Sequence, residues 1–252
     1  MITEAATEAK AEITESDSVC SRDHNRSQSS VTPDPVRRTR FLKTLQKSLQ
    51  QRYDVSVPYC VSQLVSHNTD YIESSTGSSP DTPEMLLFRQ SGDNLDITLF
   101  LDAVLLDDLE EEHHRFHLSG ERFDNSCIVL EGVSHFLYLT WNAHHDRQVR
   151  LIDIELQAEV DKFIYATLDT DNNESTDRLI KRLYCDVSYR SGLSPVLKHR
   201  YEKANALAKL YCDWLSNNFS LQTPTRELSA ELARFYRLNG DAKQSHIMRH
   251  LH

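Results

Sequence analysis

The chain has 252 residues, 39% hydrophobic and 26% charged, which is enough for one large domain or two small ones. Its 38 acids against 28 bases leave a net charge of −10, the opposite of a basic nucleic-acid footprint. The six glycines (Gly77, Gly92, Gly120, Gly132, Gly192, Gly240) lie too far apart for G-x-G-x-x-G or a P-loop, and the five cysteines form no C-x-x-C pair, which excludes zinc ribbons and thioredoxin-like motifs.

The nucleophile-elbow and H-E-x-x-H signatures are absent too. No run of apolar residues is long enough to span a membrane. The opening "MITEAATEAKAEITESDS" is acidic and lacks the basic and apolar regions of a signal peptide. These features, with widely spaced cysteines that read as reduced thiols, point to the cytoplasm.

Residues 1–34 hold seven acids and no aromatic residue, so they offer too little apolar surface to offset ordering entropy and read as a disordered acidic tail. From Pro35 the character changes. "VRRTRFLKTLQKSLQQRY" puts Phe41, Leu42, Leu45 and Leu49 on one helical face, while Arg37, Arg38, Arg40, Lys43, Lys47 and Arg52 make the helix basic with no acid in between. Residues 54–65 fit a strand or a helix equally. Residues 66–83, rich in Ser, Thr, Asp and Pro, read as a flexible loop.

The runs on either side of Ser91–Asn94 alternate apolar and polar side chains and predict a β-hairpin over about 85–101. A lone hairpin is marginal, so it must pack on helices. A short acidic helix follows, with Val104, Leu105 and Leu109 facing in, and then "EEEHHRFH", where His113 and His117 stand one helical turn apart as a transition-metal pair would. The same positions suit imidazoles that merely complement a helix C-terminus.

Two helices over 125–142 and 147–168, joined by "NAHHD", predict an antiparallel pair. Further helices are expected over about 174–186 and 195–218, then from Thr223-Pro224 to Gly240, and over 241–251. His246, His250 and His252 repeat the one-turn spacing near the end. The sum is a mainly α (α+β) chain, an irregular helical bundle over 35–252 with one hairpin packed on it.

The first helix of the central pair carries "LEGVSHFLYLTWNA", in which Glu131, Ser134, His135 and Tyr138 form one polar stripe on an otherwise apolar rod. A buried Glu beside a His needs partners. Antiparallel pairing brings Asp153, Glu155 and Glu159 within about a turn of them, and carboxylates with an imidazole on adjacent helices are the raw material of a metal site or an acid–base pair. Di-iron bundles space these ligands as Glu-x-x-His; here the spacing is Glu-x-x-x-His, without a second copy.

The economical expectation is a non-catalytic cytosolic protein, regulatory or scaffolding, that binds another protein through Arg38, Leu42, Leu45, Lys47 and Leu49 and needs no cofactor. The alternative is a metal-dependent enzyme, with a divalent transition metal at Glu131, His135, Glu155 and Glu159, or at His113 and His117. Nucleic-acid binding through the basic helix is a lesser alternative that the net charge disfavours.

Overall fold

The computed structural model describes residues 35–77, 79–80, 82–92, 94–110, 120–168, 175–189 and 191–250. The acidic tail over 1–34 and the pair His113 and His117 lie outside these residues. Helix α1 spans Pro35–Tyr53. A 3-10 turn, Val61–Gln63, leads to strand β1, Val65–Ser66, and to helix α2, Thr69–Thr76. Strands β2, Glu84–Ser91, and β3, Asn94–Leu101, make the hairpin. Helices α3, Ala103–Glu110, α4, Gly120–His144, and α5, Leu151–Leu168, follow. Then come α6, Thr176–Ile180, which runs on as a π-helical turn, Lys181–Cys185, and α7, Pro195–Asn218. Helices α8, Arg226–Arg237, and α9, Gly240–Arg249, complete the mainly α architecture with its small sheet.

Helix α4 is the axis of the molecule. Every residue from Ser126 to Asn142 is buried, as an all-round apolar helix demands. It packs antiparallel on α5, α5 packs on α7, and α1, α3 and the sheet cover its other sides. The sheet has the order β1-β3-β2, with β1 parallel and β2 antiparallel to β3. The hairpin turns through Gly92 at φ 60°, a left-handed value that costs glycine nothing.

Two expectations are corrected. The segment 66–83 is not a loop throughout, because α2 occupies its middle. Asn68 caps that helix through Oδ1 to the Tyr71 N–H, and Gly77 at φ 86° ends it. Ile72 anchors it, fully buried against Met85 and Phe100 on the outer face of the sheet. Its two apolar residues, Tyr71 and Ile72, are adjacent and set up no helical periodicity, so the sequence pattern is silent there.

The leucine stripe of α1 is not a contact surface either. Leu42, Leu45 and Leu49 are at most 2% exposed, in the main core with Phe41 and Tyr53. Helix α1 packs on α8 and α4, and the apolar stripe serves that packing. Lys43 and Lys47 face solvent and Arg38 is half-buried. Among the described residues no helix is long and apolar enough to cross a membrane.

Candidate metal centre at the α4–α5 seam

The polar stripe of α4 meets acids from two other elements, β2 and α5. His135 Nδ1 lies 3.6 Å from Glu84 Oε1, and His135 Nε2 lies 3.3 Å from Glu155 Oε2. Glu155 Oε1 is 3.8 Å from Arg200 Nε of α7. One turn along, the Lys162 ammonium donates to Glu131 Oε2 at 3.0 Å and to Glu159 Oε1 at 2.8 Å. Glu84, Glu131 and His135 each bring a ligand atom within 4.8 Å of the others.

All four acids expected from the sequence to share a site with His135 must therefore be placed separately. Glu155 reaches His135. Glu131 lies beside it but spends its hydrogen bond on Lys162, and Glu159 meets that same ammonium rather than the imidazole. Asp153 belongs elsewhere: it pairs with Arg150 and accepts from the Gly240 N–H at 3.0 Å, which holds the start of α9. Glu84, Lys162 and Arg200 were not foreseen.

Glu84 is fully buried at the first position of β2. It can approach α4 only because residue 132 is glycine. A Cβ there would stand 2.9 Å from Glu84 Cγ, 3.0 Å from Glu84 Oε1 and 3.0 Å from Leu99 Cδ1. Glycine inside a helix costs about 1 kcal/mol relative to alanine, and here it opens the seat of a carboxylate. Gly132→Ala should therefore lose stability by about 1–3 kcal/mol, the range of overpacked cores, against its helix propensity. Denaturant unfolding checks this, and a variant as stable as the parent would show that the contact yields freely.

Four carboxylates (Glu84, Glu131, Glu155, Glu159) face two permanent cations, Lys162 and Arg200, so the acids exceed the fixed bases by two before His135 is counted. The site's proton affinities respond. Burial works against the His135 imidazolium, but Glu155 and Glu84 outweigh it and raise its pKa well above the ordinary range. Burial likewise opposes the Lys162 ammonium, yet Glu131 and Glu159 keep it charged. Burial pushes Glu159 up while Lys162 pulls it back.

The cluster opens on a cavity of about 180 Å³ lined by Glu131, Glu159, Lys162, Arg182, Tyr189 and Tyr201 among others. A second void of about 20 Å³, room for a single water or ion, lies between Glu84, His135 and Glu155. Tyr201 lines both. The π-helical turn forms one wall of the larger cavity through Arg182 and Leu183. Such turns are frequent at functional sites. The Arg182 guanidinium rests 3.5 Å from the Phe123 ring centroid at this wall. Cys127 also lines the cavity, but burial pushes its thiol up, so it is no thiolate nucleophile.

No protein-family model matches the chain, and no curated protein or solved structure does.

Proposed function

We propose that the protein is a metal-dependent enzyme whose centre is Glu84, Glu131 and His135, with Glu155 and Glu159 beside it. Its substrate is a small polar molecule held in the adjoining cavity. The observation that carries this reading is the convergence of two carboxylates and an imidazole, all buried, from β2 and α4. Mixed oxygen and imidazole donors suit manganese, iron or zinc. With the His135 ring neutral, as a metal ligand must be, one divalent ion would cancel the two surplus negative charges.

In this reading Glu155 orients His135 from outside the ligand set, as carboxylates do for metal-bound imidazoles. The Lys162 ammonium holds Glu131 and Glu159 on the cavity wall and offers a cation to an anionic group of the substrate. The free thiols Cys60, Cys127, Cys185 and Cys212 suit a cytosolic setting. A partner protein or nucleic acid at α1 would be left the cationic side chains Arg38, Arg40, Lys43 and Lys47, since the leucines are spent on the core.

The test is elemental analysis of the full chain made without an affinity tag. Stoichiometric manganese, iron or zinc is expected, and Glu84→Gln and Glu131→Gln should each lose one equivalent of it while circular dichroism stays unchanged. Protein that is metal-free as purified and takes up none of these ions on titration would overturn the reading.

A further inference from the structure

A second group of ligand-type side chains lies where α7, α8 and α9 meet. Glu231 projects from α8. His246 and His250 project from α9 four residues apart, which stacks them on one face of the helix. His246 Nε2 is 2.6 Å from Glu231 Oε1, and the Tyr211 hydroxyl of α7 donates to that same oxygen at 3.0 Å. The three residues bring ligand atoms within 4.8 Å of one another. The two imidazole rings stand nearly perpendicular, with centroids 4.7 Å apart.

His250 supplies the independent observation. Its ring stacks on Trp214, with centroids 3.8 Å apart and planes 19° from parallel. That stack fixes the ring while its Nε2 atom is shut off from solvent and makes no hydrogen bond. An imidazole nitrogen in that state normally finds a partner. A carboxylate already oriented by Tyr211, two helical imidazoles and an unmatched nitrogen make a ligand set with its outer support in place.

We propose that Glu231, His246 and His250 form a binding site for a divalent transition metal of the zinc class, separate from the centre at Glu84, Glu131 and His135. Two imidazoles and one carboxylate leave the fourth tetrahedral position to water, as in zinc sites with three protein ligands. Binding replaces the His246–Glu231 hydrogen bond by two metal–ligand bonds. It also clamps α9 to α8, so the metal acts on the anchoring of the C-terminal helix.

The chain has two tryptophans, Trp141 and Trp214, and only Trp214 stacks on a ligand of this site. Cobalt(II), which quenches nearby indoles and reports tetrahedral coordination by its visible absorption, is the probe. Titrating it into the full-length, tag-free protein should give saturable quenching and a visible band, both reversed by zinc. His246→Ala and Glu231→Gln should each weaken binding at least tenfold. His250→Ala, at a half-exposed position, should do so without disturbing the fold. Trp214→Phe should abolish the quenching but keep the visible band.

Glu131→Gln should leave the Trp214 quenching unchanged, which separates this site from the other. Quenching of Trp214 by cobalt that is absent, or that survives both His250→Ala and Glu231→Gln, would overturn the proposal. So would quenching that persists in Trp214→Phe.

Discussion

Lys162→Met should destabilise the protein by about 3–5 kcal/mol at neutral pH, the range for breaking a buried ion pair from one side. Methionine matches lysine in length, so packing is kept and the charge alone is lost. The Lys162 side chain is 8% exposed and its two partners 12% and 20%, so solvent screens the trio poorly. Without the ammonium, Glu131 and Glu159 are left as two like charges side by side on the largely buried cavity wall, a repulsion that taking up a proton relieves. Denaturant unfolding at pH 7 measures the loss.

The same variant separates the proposed metal centre from a structural ion network. If the cluster accepts a divalent cation, manganese or zinc should restore part of the stability lost in Lys162→Met, because an ion bound to the folded state alone stabilises it by mass action. In a merely structural network the loss should be indifferent to metal. A loss below about 1 kcal/mol, the size of an exposed pair, would show that the trio is wetter than its burial implies.

How far the site could be read from the sequence follows from the kind of signal each residue leaves. The stripe Glu131, Ser134, His135, Tyr138 was legible because polar residues at helical spacing interrupt an apolar rod. Glu155 and Glu159 were legible because a short connection implies an antiparallel partner. The level at which they meet was not: α5 starts at Leu151, after an irregular stretch that includes Asp146 at φ 53°, which moves Asp153 away from His135 and onto α9.

Glu84 leaves no local trace, since it opens a strand where a charged residue ordinarily faces water. Only Gly132, an unexplained glycine inside a buried helix, hints that another chain segment comes close. Lys162 was hidden by its own pattern, because Glu159 and Lys162 at i,i+3 look like an ordinary surface pair. The leucines of α1 were read correctly as one face, but periodicity does not say whether that face meets the chain's own core or another molecule.

The second large effect concerns the other buried amine, and it is a pH dependence. Lys243 is fully buried on α9, where its Nζ donates to Gln157 Oε1 at 2.6 Å and to the Tyr138 hydroxyl at 3.2 Å, over the rings of Tyr138 and Phe235. Asp153 and Asp161 favour its charged form, Arg147 opposes it, and burial outweighs them all, lowering its pKa from about 10.5 to about 7. Asp161, held by Ser134, Gln157 and Tyr53, has its own carboxyl pushed up by burial to about 6 and so is ionised above that pH.

In the unfolded chain the amine keeps its proton to about pH 10.5; in the folded protein it gives it up near 7. Between those values unfolding takes up a proton, so this group adds stability as the pH rises, by up to about 1.4 kcal/mol per pH unit. Lys243→Met removes that contribution and also the amine's hydrogen bonds to Gln157 and Tyr138. Compared by denaturant unfolding from pH 7 to 9.5, the difference between the two proteins should therefore move steadily in favour of the parent. His135, whose raised pKa contributes stability that is lost as pH rises, is common to both proteins and cancels in the difference. A pH-independent difference would mean that Lys243 stays protonated in the folded state, held there by Asp153 and Asp161 against the cost of burial.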